Sequence, residues 1–139
     1  MDKFIFDPEP VFLFLKEKGV PLVYAADMQA IGLERDGELI GGVIFTGYSK
    51  HNIFMHVAGT EGVNWVTKAY LKATFQYPFK QLNCNRVTGW VDASNHKARR
   101  FDEHLGFKKE AVLEGAAQDG GDVIIYRMWK KDCRFISKD

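Results

Sequence analysis

The sequence has little cysteine, almost no net charge and no long apolar run. Each of these absences excludes a class of protein. Cys84 and Cys133 have neither the spacing of a metal site nor the density of a secreted disulfide scaffold, so we expect reduced thiols in a cytoplasmic protein. A formal net charge of +1 creates no overall field that would recruit nucleic acid or an anionic membrane. No apolar stretch approaches the roughly 20 residues of a membrane span. The N-terminal segment lacks the basic start and apolar run of a signal peptide.

The rest of the composition is that of a folded protein. Hydrophobic residues make up 46% of the 139 residues, a share that excludes a disordered chain and is large enough for a core. No internal repeat, low-complexity tract or linker divides the chain. We therefore predict one domain that spans residues 1–139, and no metal site.

The N-terminal third predicts one helix followed by a hairpin. Residues 7–19 have a capping aspartate, a proline in the first turn and a glycine at the exit of a helix. Residues 30–35 and 39–46 have the composition of strands, and the Asp36-Gly37 pair between them is a strong hairpin signal. The Gly41-Gly42 pair in the second strand predicts a bulge or a close backbone approach.

The middle of the chain predicts a central strand and a second helix. Residues 53–58 form an apolar run in which His56 is the only polar side chain, which suits a strand that is covered on both faces. Glycines within 59–62 break this pattern. A helix is predicted over residues 64–77, ended by Pro78. Its predicted inner face consists of Val66, Ala69, Tyr70 and Ala73.

The most informative stretch is the strand and helix between Arg86 and Phe107. Residues 87–91 are rich in β-branched and aromatic side chains, which favours a strand. Ser94 or Asn95 can cap a helix, and Gly106 can end it. One apolar stripe of that helix is formed by Ala98, Phe101 and Leu105. A strand that ends where a helix begins is a common ligand site in α/β proteins.

This stretch resembles the C-terminal motif of the GNAT (GCN5-related) N-acetyltransferases, in which a strand is followed by Asn-x-x-Ala, a short helix and Leu-Gly-Phe. Those positions are Asn95, Ala98 and residues 105–107 here. Residues 107–115 and 123–129 resemble the family's closing pair of strands, and the resemblance extends to small acetyltransferase-like proteins of phages and prophages. The resemblance implies an α/β (α+β) fold: a single mixed, mostly antiparallel sheet, flanked by helices, with splayed central strands.

The resemblance also implies a site for acetyl-CoA between those splayed strands. The pantetheine arm would pair with the predicted central strand at Met55 and Val57, as an added strand would. Its contacts on the later helix would include Asn95, Arg99 and Phe101. Asn95 suits either a hydrogen bond to the arm or a helix cap, and the two roles can coexist.

The loop expected to hold the pyrophosphate departs from the family pattern Arg/Gln-x-x-Gly-x-Gly/Ala. The arginine is missing, and Trp65 and Thr67 stand where glycines would permit close approach. Two outcomes remain open: the helix N-terminus holds phosphate, or binding of CoA is weak or lost. The residues expected at the phosphates are Gly62, Asn64, Trp65, Thr67 and Lys68.

Three residues are candidates for proton transfer. His56 titrates near neutral pH and borders the implied cleft, so it is the first candidate base, although a satisfied core histidine is an equal alternative. Glu34 could replace it directly or through water. Asp102 stands where the family often has a tyrosine acid, and it can donate a proton only if burial raises its pKa. An ordinary surface pairing of Asp102 with Lys97 or Arg99 is the simpler alternative.

These features predict an acetyl-CoA-dependent N-acetyltransferase in which an amine attacks the thioester directly. The acceptor would be a small-molecule or protein amine, the protein would be cytoplasmic (host cytoplasm if phage-encoded), and a homodimer is possible. The alternative is a GNAT-like domain that has lost catalysis and serves as a virion-associated or protein-binding module. A nucleic-acid-binding module is less favoured, because charge is balanced and no aromatic-basic platform is present.

Overall fold

The computed structural model describes residues 1–137 and arranges them around one sheet of seven strands. In sheet order these are β1 (Asp2–Ile5), β2 (Gln29–Arg35), β3 (Glu38–Thr46), β4 (Asn52–Gly59), β5 (Arg86–Asp92), β7 (Val123–Trp129) and β6 (Lys108–Leu113). Neighbouring strands are antiparallel except for β4 and β5, which are parallel. The helices are α1 (Pro8–Glu17), α2 (Lys68–Gln76) and α3 (His96–Leu105). The predicted mixed, mostly antiparallel sheet flanked by helices is confirmed.

Local signals in the N-terminal third act as predicted. The Asp7 carboxylate accepts a hydrogen bond from the Glu9 amide at 3.2 Å and caps α1. Asp36 and Gly37 both have positive φ, 52° and 85°, which the two-residue turn between β2 and β3 requires. The register shifts by one residue beside Gly41, so the predicted bulge is present. Residues 20–25, between α1 and β2, have no regular secondary structure.

Helix α2 differs from its prediction at both ends. It begins at Lys68 rather than Asn64, because the Thr67 hydroxyl caps it by accepting a hydrogen bond from the Tyr70 amide at 3.2 Å. Pro78 does not end the helical path, which continues as a π-helical turn at Tyr77–Gln81. Proline fits the first turn of this new segment, where its missing N–H is not needed. The buried side chains of α2 are Tyr70, Thr74 and Phe75, so Tyr70 is the only fully buried residue of the predicted inner face.

The helices divide over the two faces of the sheet. On one face, α1 packs Val11 and Leu15 against Ala30 and Ile44. On the other face, Tyr70 and Phe75 of α2 and Leu105 of α3 join the larger core cluster, which also contains Val43 and Met55. We call these the α1 face and the α2/α3 face. Within residues 1–137, no helix is both long and apolar enough to cross a membrane.

Candidate active site

The parallel strands β4 and β5 separate in the middle of the sheet. Their pairing begins at Asn52 and Arg86 and ends at Met55 and Gly89, although β4 continues to Gly59 and β5 to Asp92. Beyond Met55, β4 therefore has a backbone edge that is not paired with β5 and is open to an extended ligand. A cleft of about 900 Å³ occupies the gap. The predicted splaying of the central strands next to Asn95 is confirmed.

The cleft passes through the sheet and opens on both faces. Successive side chains of a strand point to opposite faces, and Met55 and Val91 belong to the core on the α2/α3 face, whereas Ala58 packs against the α1 cluster. Residues from both sets line the cleft. We call the opening beside α3 the α3 mouth; it is lined by residues 60–63, Trp65, Val66, Asn95, Lys97 and Phe101. The opening on the other face is the α1 mouth, lined by residues 18–21, His56, Ala58, Trp90 and Asp92.

His56 lies at the first position of β4 beyond the split, on the α1 face. Its Nε2 atom is 3.1 Å from the Thr46 hydroxyl, and the ring lines the cleft. Burial disfavours the charged imidazolium and lowers the pKa of His56 to about 4. The imidazole is therefore neutral near pH 7 and able to accept a proton.

Asp102 lies at the same level of the cleft on the opposite face. Its Oδ2 is 3.2 Å from the point where a Cβ at Gly89 would lie, so the missing side chain of Gly89 makes room for this carboxyl group. Burial, with a smaller contribution from the charge of Glu103, raises the pKa of Asp102 to about 7. The expected surface pairing with Lys97 or Arg99 is wrong, because Lys97 binds Glu61 at 2.7 Å and Arg99 donates to the Ala93 carbonyl at 3.1 Å.

Other predicted site residues are not brought to the cleft. Glu34 lies two strands away on β2, where Lys3 is 3.5 Å from its carboxylate. Arg99 turns toward Ala93 and the Tyr126 hydroxyl, away from the expected cofactor path.

The residues predicted to hold the phosphates lie mostly outside the cleft. Because α2 starts late, the Thr67 hydroxyl is used as its cap, and neither Asn64, Thr67 nor Lys68 lines the cleft. The predicted cofactor residues that do line it are Met55, Val57, Gly62, Trp65, Asn95 and Phe101.

Asn95 caps α3 at the edge of the α3 mouth. Its Oδ1 atom accepts a hydrogen bond from the Ala98 amide at 3.1 Å, so the capping role is present. The same residue lines the cleft. The Nδ2 group of an amide side chain that uses its oxygen as a cap remains available as a donor. Both roles foreseen for Asn95 are therefore compatible in one conformation.

Trp65 spans the α3 mouth. Its indole fills a notch left by Gly41 and Gly59, where an added Cβ would come within 2.8 Å of the ring at Gly41 and would overlap it at Gly59. On its other side, the ring centroid of Trp65 is 5.2 Å from that of Phe101 on α3. Trp65 therefore connects the two walls of the cleft, and a ligand that passes between these walls would separate Trp65 from Phe101.

The sequence reasoning missed two groups of the cleft. The carboxylate of Glu61, in the β4–α2 loop, pairs across the α3 mouth with Lys97 in the first turn of α3. Asp92, the last residue of β5, lines the α1 mouth. The alternation along β5 was an available signal, since Trp90 and Asp92 share a face opposite the buried Val87 and Val91. The Glu61–Lys97 contact left no sequence signal, because it joins residues 36 positions apart.

The parallel β4–β5 pair that opens after four residues, within a mostly antiparallel sheet and next to the α3 N-terminus, is the GNAT-type acyl-CoA N-acyltransferase fold. The sequence matches no protein-family model and no curated protein. A single-residue mutant of the spermidine N-acetyltransferase SpeG from Vibrio cholerae matches with a TM-score of 0.75 at 13% identity, over 94% of this chain and 95% of that one. SpeG from the same organism in complex with manganese ions matches with a TM-score of 0.71 at 14% identity, over 94% and 92%. A probable acetyltransferase has 20% identity and a TM-score of 0.65 over 76% and 64%. These likenesses establish the fold.

Proposed function

We propose that this protein is an acetyl-CoA-dependent N-acetyltransferase that acetylates a primary amine by direct attack. The observation that carries the proposal is the through-sheet cleft at the β4–β5 split, with His56 on one face and Asp102 on the other. An open strand edge suits the amide-bearing pantetheine arm. The structural neighbours named as acetyltransferases support the same activity.

The arrangement of the two titratable groups supports a division of the proton transfers between the two faces. A neutral amine entering from the α1 mouth attacks the thioester carbonyl, so that a C–N bond forms and the C–S bond breaks. His56 takes the proton that the amine releases, and protonated Asp102 donates one to the leaving sulfur. Backbone N–H groups of β4 polarise the carbonyl. Glu34 has no part in this scheme, because it lies on β2 beside Lys3.

Saturating acetyl-CoA is expected to raise the melting temperature of the protein by roughly 5–10 °C, since a ligand at about 100 times its Kd stabilises a fold of this size by about 2.7 kcal/mol. Differential scanning fluorimetry with acetyl-CoA, CoA and free pantetheine measures this shift. Pantetheine tests the arm alone, and the difference from CoA reports the phosphate contacts. No shift at millimolar acetyl-CoA would contradict the proposal.

The second candidate function is a GNAT-like binding domain without catalysis, and the position of Trp65 favours it. The contact between Trp65 and Phe101 bridges the α3 mouth, and Asn64, Thr67 and Lys68 do not form a phosphate cradle within it. The absence of both an acetyl-CoA shift and acetyl transfer would favour this candidate over the enzyme.

Replacing Trp65 with alanine is expected to tighten acetyl-CoA binding about 2- to 10-fold, because the ligand then no longer has to break an aromatic contact worth about 0.5–1.5 kcal/mol. Isothermal titration calorimetry compares the wild type with Trp65→Ala. Trp129→Ala, which changes a tryptophan outside the cleft, is the matched control. Weaker binding by Trp65→Ala would instead make the indole a direct contact of the ligand.

Four finer features remain part of the proposal. The acceptor is a small-molecule or protein amine. Assembly as a homodimer is supported by β6, an outer strand of the sheet whose six residues are all exposed. A cytoplasmic location and kinship with phage proteins remain predictions.

A further inference from the structure

The α1 mouth of the cleft has an aromatic and an acidic side chain next to each other on β5. Trp90 and Asp92 are two residues apart in one strand, so both point to the α1 face. Trp90 is 40% exposed, although it lies within a strand whose neighbouring residues Gly89 and Val91 are buried. By the register of the last pair, Met55 and Gly89, Trp90 would be the partner of His56 if the strands had not separated. The indole and the carboxylate therefore line the cleft beside the proposed base.

The charges at this mouth suit a cation. Among the described residues, no cationic side chain contacts the ring of Trp90. The ring of Trp129, by contrast, has Arg86 at 5.5 Å and Arg127 at 5.7 Å. Within residues 1–137, Asp92 forms no ion pair. Lys18, a basic residue that lines the same mouth, has its ammonium 5.3 Å from the ring centroid of Phe14. An aromatic face and a carboxylate are thus both available to an ammonium group.

We propose that Trp90 and Asp92 form the acceptor subsite and that it selects primary alkylammonium groups, either of a free amine or of a lysine side chain. This inference rests on the proposed function. An alkylammonium places its charge against Asp92 and its methylene stem along the indole of Trp90, which brings the nitrogen to the split beside His56. An arylamine is uncharged at neutral pH and gains neither electrostatic contact. An acceptor with a carboxylate beside its amine is repelled by Asp92.

The proton count of the proposed step is consistent with this subsite. The acceptor binds as R–NH3⁺, releases one proton to solvent, and attacks as R–NH2. The second proton passes to His56 as the C–N bond forms, and the sulfur of the broken C–S bond takes one from Asp102. No oxidant or further reactant is required.

Direct binding tests the subsite independently of catalysis. The indole N–H signal of Trp90, followed by NMR in ¹⁵N-labelled protein, is expected to shift on titration with pentylamine and much less with pentanol, the neutral analogue. Nα-acetyl-lysine amide tests the lysine source, and aniline tests an arylamine. In Asp92→Asn we expect pentylamine to bind about ten-fold more weakly, a change that the Trp90 signal reports. For Trp90→Leu the same loss is measured by calorimetry, and Trp90→Phe is expected to restore most of the binding.

Two matched controls lie outside the cleft. Trp129→Leu and Asp132→Asn change the same residue types and should leave pentylamine binding within about two-fold of the wild type. Equal binding of pentanol and pentylamine, or unchanged pentylamine binding in both Asp92→Asn and Trp90→Leu, overturns the inference. Failure of the transferase proposal is seen separately, as the absence of an acetyl-CoA thermal shift. Preference for the lysine amide over pentylamine supports the subsite and assigns its ligand to proteins or peptides.

Discussion

Replacing His56 with alanine is expected to lower the rate of acetyl transfer about 100- to 1,000-fold while the acetyl-CoA thermal shift stays unchanged. General bases typically contribute factors of this size. His56 lies on the α1 face beyond the split, whereas the proposed function places acetyl-CoA along the β4 backbone and α3. Removal of the imidazole therefore affects proton transfer more than binding of acetyl-CoA. The measurement is kcat with a saturating amine, together with the melting temperature with and without acetyl-CoA.

The pH profile of the rate distinguishes His56 from a histidine whose pKa has its usual value. Burial holds its pKa at about 4 rather than 6.5, so the imidazole is protonated, and the rate falls, only as the pH drops through about 4. Thr46→Val is the matched variant, because it removes the group 3.1 Å from Nε2 and leaves the ring in place. We expect Thr46→Val to lose less activity than His56→Ala. Unchanged turnover in His56→Ala would exclude His56 as the base.

Replacing Asp102 with asparagine is expected to stabilise the fold at pH 8 by up to about 4 kcal/mol and to change its stability little at pH 4. The pKa of Asp102 is raised from an ordinary 3.8 to about 7 by burial. A raised pKa means that the folded state holds its proton more tightly than the unfolded state. The stability it contributes is fully present below pH 3.8 and is lost as the pH rises through 7. Asparagine has a similar shape and cannot ionise, so it escapes this loss.

Urea denaturation of the wild type and Asp102→Asn at pH 4.5, 6 and 8 measures the difference. His56 titrates in the same range with the opposite sign, because its depressed pKa makes stability fall between pH 6.5 and 4. Both proteins retain His56, so its contribution cancels. Asp132→Asn, at an exposed aspartate outside the cleft, is the control. A stability difference that does not vary with pH would mean that Asp102 is not buried as described. Loss of acetyl transfer in the stabilised Asp102→Asn protein would support its role as the acid.

The features that sequence predicted best are those that depend on neighbouring residues. The Asp7 cap, the Asp36-Gly37 turn and the Asn95 cap are all present, because each is a hydrogen bond or a backbone conformation within three residues. The sequence placed the start of α2 wrongly because two nearby residues could each cap this helix. Asn64 and Thr67 are both good caps, and the packing of Trp65 between them into a distant glycine notch leaves the role to Thr67.

The site residues also divide into features that neighbouring residues indicate and features that only distant packing decides. The motif around Asn95 indicated the fold and the split of β4 from β5, and His56 and Asp102 were identified as candidates for proton transfer. Their pKa values came only from the structure, because burial is produced by side chains from strands and helices far apart in the chain. Glu34 was expected near the cleft, but the sheet order places it two strands away, a separation that the sequence alone does not show.

By itself the sequence determined the order of helices and strands and most of their ends, because caps, turns and alternating patterns are set by short-range hydrogen bonds and side-chain spacing. The place where the central strands part was implied by the resemblance of the motif around Asn95. Only the tertiary structure decided that Trp65 bridges the α3 mouth, that Arg99 turns away, and that Trp90 and Asp92 face a second opening. These arrangements depend on which surfaces pack together, and packing joins residues that lie dozens of positions apart.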